Sequence, residues 1–217
     1  MAELIELSYF AQDLSPQYDP SRNLWFLMAA TGWSLPLYFA LKNKHGYRLA
    51  NRSDFVAQVT SLVGAFSRDY ASLVIPQSRS TFIEEVAQGC QKPVHQLRKR
   101  SKADICERAL ALATWSRLER ESQARAWAEM GKDFAINVIK SNQRHHYVAH
   151  LFEPLKELRA EARTLILDDF VMSGNTLAAM KSVMSTDSDS PGKGAGADVF
   201  AVFYQQAYRG GLVPFVR

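Results

Sequence analysis

An α/β fold built on a parallel sheet is what this sequence predicts, and three observations carry the prediction. Short apolar runs of strand length recur at residues 70–76, 164–168 and 199–204. Segments with helical spacing fall between them. The runs are largely apolar and bounded by turn residues, as strands buried on both faces are. At 217 residues the chain is long enough for one good-sized domain with a real core and short for two. Its 47% hydrophobic and 22% charged content is ordinary for a globular protein.

Taken in order, residues 21–33 are apolar and aromatic and are expected to be helical. Residues 35–41 and 47–50 flank Asn43-Lys44-His45-Gly46, which suggests a strand pair. Ser53 is the expected N-cap of a helix through about residue 67, with Phe55, Val59, Leu62, Val63 and Phe66 on one stripe. Residues 70–76 (YASLVIP) are the next strand, ended by the polar turn Gln77-Ser78-Arg79-Ser80. A helix over 81–88 and a strand over 93–97 follow, the latter running into Arg98-Lys99-Arg100-Ser101-Lys102. Residues 103–130 read as one long helix of mixed charge, with Ile105, Ala109, Leu112, Trp115 and Leu118 as its apolar stripe. It is expected to stand outside the sheet, as a cover or as a docking surface for a protein partner or a second copy. A strand over 164–168, a helix over 176–184 and a strand over 199–204 complete the pattern. Residues 185–196, rich in Ser, Asp, Gly and Pro, are expected to form a solvated loop.

Several function classes recede on composition. The longest apolar run, residues 24–30, is far too short to span a bilayer, so no membrane partner is expected. Glu3 and Glu6 replace the basic start of a secretory signal. Cys90 and Cys106 have no metal or redox spacing, and a cytoplasmic location is the expectation. The net charge of +4 suits an anionic ligand without requiring nucleic acid. The densest basic patch, Lys92, His95, Arg98, Lys99, Arg100 and Lys102, has no interleaved aromatic residue for base stacking, so nucleic acid is the weaker reading of it. His146 and His150 are spaced i, i+4, but Tyr147 stands where a metalloprotease helix needs Glu, and no protein-held metal is expected there.

The most informative segment is residues 163–180, RTLILDDFVMSGNTLAAM. It reads as buried strand, two carboxylates, a small-residue loop and a helix. Ligands of open α/β sheets sit beyond the carboxyl ends of the strands, which is where Asp168 and Asp169 are expected. The loop Val171-Met172-Ser173-Gly174-Asn175-Thr176 ends at a helix start, where backbone N–H groups and the Ser173 and Thr176 hydroxyls can surround a phosphate. Gly174 would let the backbone approach the anion. Carboxylates beside a phosphate cradle should repel an anion, unless they accept hydrogen bonds from sugar hydroxyls while the phosphate of the same sugar occupies the loop. The acid pair is expected to face a ligand-accessible cleft and to tolerate neutralisation, since two adjacent negative charges repel.

LILDDFVMSGNT resembles the phosphoribosyl-diphosphate (PRPP) motif of the class I phosphoribosyltransferases. That resemblance covers about residues 70–204 and implies a phosphoribosyltransferase-like core over 69–217, an N-terminal hood over 1–68 that meets the acceptor, and a helical insert over about 103–150, all in a single domain. It implies that Asp168 and Asp169 are the catalytic pair and that Val171, Met172, Ser173, Gly174, Asn175 and Thr176 hold the 5-phosphate. It also implies that Ser78, Arg79 and Ser80, with Arg98, Lys99 and Lys102, meet the pyrophosphate. Mg²⁺ would arrive bridging pyrophosphate and ribose oxygens rather than in an all-protein cage. Met172 replaces the acidic residue that precedes Thr-Gly in the 6-oxopurine branch, which argues against hypoxanthine or guanine as acceptor. The implied activity is transfer of ribose 5-phosphate from PRPP to a nucleobase or other nucleophile. The alternative is a non-catalytic or specialised PRPP- or nucleotide-binding regulator, or an effector subunit of a larger complex of the kind found in defence systems.

Overall fold

The computed structural model describes residues 4–32, 34–78, 81–112, 115–155, 163–172, 174–185 and 197–205. The chain forms two compact units, the first made of Met1–Gln96, Glu161–Ser173 and Ala195–Arg217, the second of Leu97–Ala160 and Gly174–Gly194.

The first unit is α/β. Its strands are β1 (Ile5–Leu7), β2 (Gln17–Asp19), β3 (Leu24–Ala29), β4 (Tyr47–Leu49), β5 (Ser72–Pro76), β6 (Val94–Leu97), β7 (Thr164–Val171) and β8 (Asp198–Tyr204). Its helices are α1 (Ser34–Leu41), α2 (Arg52–Phe66) and α3 (Phe82–Gly89). Six strands make one sheet in the order β2-β3-β8-β7-β5-β6, and β3–β8, β8–β7 and β7–β5 all pair in parallel. β2 pairs antiparallel with β3, matching Asp19 to Leu24. β5, β7 and β8 are buried almost throughout, as the continuous apolar runs require. One apolar cluster gathers Leu73 and Ile75 of β5, Leu165 and Leu167 of β7, Phe200 and Val202 of β8, and the buried faces of the three helices.

Two expectations about the N-terminal part are corrected. Residues 21–33 hold strand β3 rather than a helix. A continuous apolar run of six residues gives no period to decide between the two, and here the turn at Asn23, with φ 49°, reverses the chain into the sheet. Residues 35–41 form helix α1 rather than a strand. Pro36 lies in its first turn, where a missing N–H costs nothing, and Ser34 Oγ ties the helix start to Thr31 N–H at 2.9 Å. The strand at 47–49 therefore pairs elsewhere: β4 runs parallel to β1 in a separate two-stranded sheet.

Helix α2 forms as expected, with Phe55, Val59 and Val63 fully buried. Its cap position is Asn51, not Ser53, and the Asn51 amide bonds both the N–H and the C=O of Tyr9 instead of the helix. Phe55 packs against Tyr9, Phe82 and Phe203, with ring centroids 4.8, 5.9 and 6.3 Å away.

The second unit is helical: α4 (Lys102–Leu112), α5 (Arg117–Glu129), α6 (His145–Val148) and α7 (Asn175–Ser185). The single helix expected over 103–130 is two. Ser116 and Glu119 form a capping box that starts α5 afresh, and the indole N–H of Trp115 turns back to the Ala109 carbonyl at 3.1 Å. Ile105, Ala109 and Trp115 are buried as the stripe requires, but Leu118 belongs to the new helix and is 79% exposed. A buried polar network joins α5 to the segment before and within α6. Gln123 Nε2–H donates to Gln143, and the Tyr147 hydroxyl donates to Gln123 at 2.6 Å while accepting from Trp127 Nε1–H at 3.0 Å. The loop expected over 185–196 lies almost wholly outside the described residues. Among the described residues no helix is long and apolar enough to cross a membrane.

At the amino-terminal end of the sheet, Arg163 pairs with Asp198 at 2.8 Å and the Tyr70 hydroxyl donates to the same carboxylate at 2.6 Å. Burial, then this bond to Asp198, pushes the Tyr70 hydroxyl up to about 12. Burial does the same to Tyr147, and burial with the bond to Asp19 does it to Tyr204, each to about 12. A phenol held protonated by the fold favours the native state below the unfolded value and loses that advantage as pH climbs toward the folded one. Stability is therefore expected to fall between about pH 10 and 12, more shallowly in Tyr70→Phe, as read by urea midpoints across that range. Phe55→Ala is expected to cost ~3–5 kcal/mol in the same assay at neutral pH.

Candidate functional site

β7 runs three residues further than expected, so Asp168 and Asp169 lie inside it, Asp168 in register with Ala201 of β8. The loop after the strand is correspondingly shorter, because Val171 closes β7 and Asn175 opens α7. A side-chain period of two puts Asp169 on the face of Leu165 and Leu167, and Asp168 on the face of Ile166. The two acids, expected to face a ligand-accessible cleft, are 5% and 6% exposed. Asp168 Oδ1 accepts the Asp169 N–H at 2.9 Å.

Asp169 meets a residue that the sequence did not flag. Lys42 follows α1, its N–H still bonded to the Tyr38 carbonyl at 3.2 Å, and its ammonium forms an ion pair with Asp169 Oδ2. Both side chains are nearly buried, at 10% and 9% exposure. Apart from Lys42, Oδ2 has no hydrogen-bond partner among the described residues. The same ammonium donates to Ser78 Oγ at 3.1 Å and lies 5.7 Å from the Tyr38 ring centroid. Tyr38 stacks obliquely on Phe170 at 4.5 Å. Burial, then the charges of Asp169 and Asp168, push its hydroxyl well above the ordinary tyrosine range. Lys42 thus bridges the carboxyl ends of neighbouring strands β5 and β7. Had residues 35–41 been read as helix, the i, i+4 spacing of Tyr38 and Lys42 would have placed both on one face.

Of the phosphate-loop residues, Val171 is buried and its carbonyl accepts the Gln205 N–H at 2.9 Å. Met172 is exposed, and its carbonyl accepts from Arg22 Nη1 at 3.1 Å, a second contact that no sequence signal announced. Ser173 lies outside the described residues. Gly174, Asn175 and Thr176 are half-buried in the second unit, and the Gly174 carbonyl accepts the Ala178 N–H at 2.9 Å to begin α7. Gly174 has φ 76°, in the left-handed region that favours glycine.

The residues expected to meet pyrophosphate are divided. Ser78 is half-buried beside Lys42 in the first unit, while Arg79 and Ser80 lie outside the described residues. Arg98 and Lys99 are exposed in the second unit, where the Arg98 carbonyl accepts the Glu153 N–H and Lys99 forms an isolated bridge with Phe152. Lys102 serves the fold instead. Its ammonium donates to the carbonyls of Trp127, Met130 and Gly131 at 2.9, 3.1 and 3.2 Å. All three donors of the ammonium are thereby committed to the carboxyl end of α5, where the helix dipole favours a cation.

The donors do not fit a protein-held Mg²⁺. The acid pair offers the hard oxygens such an ion takes, but the charge of Asp169 is already balanced by Lys42. No group of three or more His, Cys, Asp or Glu able to hold a metal ion is found among the described residues.

No protein-family model matches the chain, and no curated protein matches it. Among solved structures, adenine phosphoribosyltransferase from Leishmania tarentolae is similar at 11% identity and a TM-score of 0.38, over 88% of this chain and 94% of that one. A likeness of this degree carries no argument about activity. The α/β class, with its mostly parallel sheet, stands on the strand pairings themselves.

Gly174→Val forces a β-branched residue into the left-handed region and is expected to cost at least ~1–2 kcal/mol, read by chemical denaturation. Lys102→Met is expected to cost about 1.5–3 kcal/mol in the same assay, by stripping a charged donor from the end of α5.

Proposed function

We propose that this chain is a phosphoribosyltransferase-like protein that binds PRPP through Asp168, Asp169 and the loop that follows them. One observation carries the reading. Two adjacent carboxylates sit toward the carboxyl end of a central parallel strand, and the chain then passes through a left-handed glycine into a helix. Sugar hydroxyls are the natural donors to such carboxylates, and a helix start preceded by glycine suits a phosphate.

In this reading the acid pair orients the ribose and the loop fixes its 5-phosphate. The bond from C1 to the diphosphate oxygen breaks through an oxocarbenium-like transition state, and C1 bonds to the acceptor nucleophile as pyrophosphate leaves. The residues act by positioning and by stabilising charge. Mg²⁺, where it takes part, would arrive on the diphosphate. Residues 1–68 would meet the acceptor.

The buried acid pair and its lysine favour a second reading, in which PRPP or a nucleotide is bound without turnover by a regulator or an effector subunit. Purified protein given PRPP, Mg²⁺ and a panel of bases and small amines decides between the two by release of pyrophosphate.

The paired substitution Asp168→Asn with Asp169→Asn is not a clean test, because neutralising Asp169 would strand the Lys42 ammonium. Asp168→Asn alone keeps shape and the ion pair while weakening one charged acceptor. PRPP affinity is expected to drop roughly 10- to 100-fold in calorimetric titration. Wild-type affinity in a folded Asp168→Asn protein would remove the basis for the PRPP assignment.

A further inference from the structure

We propose that Lys42 is the resident cation of this site: it balances Asp169 and gives its remaining N–H to an anionic oxygen of the ligand, so that a diphosphate binds there without a protein-held divalent ion. The inference rests on the PRPP reading only for the identity of the complete ligand.

Three observations support it. First, burying an ammonium and a carboxylate together is costly, and an apolar pair of similar volume would serve folding as well. A nearly buried ion pair at 10% and 9% exposure is therefore poorly explained by stability alone. Second, the pair stands at the carboxyl ends of β5 and β7, where ligands of parallel sheets bind. Third, among the described residues the ammonium has two polar partners, Asp169 and Ser78 Oγ, for three N–H donors. The nearly buried surroundings, with the Tyr38 ring centroid 5.7 Å from the ammonium, strengthen whatever the third donor meets.

A divalent ion beside Asp169 would compete with Lys42 for the same charge. The ammonium makes that ion unnecessary: it supplies one positive charge and a directed donor between the two strand ends. Lys42 would in this way contact the diphosphate that the basic sequence patch assigns in part to Lys102, whose donors are spent elsewhere.

The test is calorimetric titration of inorganic pyrophosphate, first in EDTA and then with Mg²⁺, into wild type, Lys42→Met, and Lys42→Met combined with Asp169→Asn. Lys42→Met alone leaves a buried carboxylate without its counter-charge and can fail to fold. The combined variant removes both charges at little change in volume and is expected to fold, as circular dichroism would report. Wild type is expected to bind pyrophosphate in EDTA, and the combined variant to bind it roughly 10- to 100-fold more weakly. Wild-type affinity in the combined variant overturns the proposal, because Lys42 is then only the counter-ion of Asp169. Binding that appears only with Mg²⁺ overturns it as well.

PRPP titrated in parallel separates this inference from the broader one. Equal PRPP affinity in wild type and the combined variant, with weakened PRPP binding in Asp168→Asn, defeats the roles of Lys42 and Asp169 and leaves PRPP binding at Asp168 and the loop standing. Pyrophosphate binding that needs Lys42, with no added affinity for PRPP and no effect of Asp168→Asn, does the reverse. Wild type that binds neither ligand defeats both.

Discussion

A strand buried on both faces has no water to solvate charge, and β7 carries two carboxylates in such a strand. The fold answers with one lysine. Lys42 reaches Asp169 from the end of α1, and the position of α1 depends in turn on β3 lying beside β8 and on the Ser34 contacts that start the helix. The acid pair is therefore coupled to the N-terminal half of the first unit through charge as well as through apolar packing. Tyr38, the ring beside the lysine, packs on Phe170 and on Phe203, and Phe203 belongs to the core that includes Phe55 and Phe82.

The second unit settles its buried polar groups by different means. Gln123, Gln143, Tyr147 and Trp127 satisfy one another, so a helical segment with little apolar surface of its own still closes around a specific contact. Lys102 closes the carboxyl end of α5 with three hydrogen bonds, which turns a residue that looked like part of a basic ligand patch into a structural one. Basic residues adjacent in sequence thus differ in what they do. Arg98 and Lys99 are exposed, and Lys102 is consumed by the helix end.

A local signal was enough wherever one physical demand dominated. The short, largely apolar runs at 70–76, 164–168 and 199–204, bounded by turn residues, matched buried strands, and all three lie adjacent in the parallel sheet. The stripe of Phe55, Val59 and Val63 marked α2 because the 3.6-residue period has no other explanation. Where two demands agreed on composition but not on shape, the sequence was ambiguous. Residues 24–29 and 35–41 are both apolar throughout and aperiodic, and each took the opposite structure from the one expected. The break between α4 and α5 was legible in principle, since Ser116 and Glu119 stand in capping-box spacing inside the supposed long helix.

Local pattern along the chain accounts for the α/β class, the strands of the parallel core, and the chemistry of the DDFVMSGNT segment: two carboxylates, a glycine and hydroxyls ahead of a helix. Those properties follow from side-chain type and from spacing along one element. Three others emerge only once the chain is folded. The carboxylates lie within β7 and are buried, Lys42 from the far end of the sequence neutralises one of them, and Lys102 caps a helix. A counter-charge is chosen by proximity in space. Proximity between α1 and β7 arises from strand order, and no pattern within either segment encodes that order.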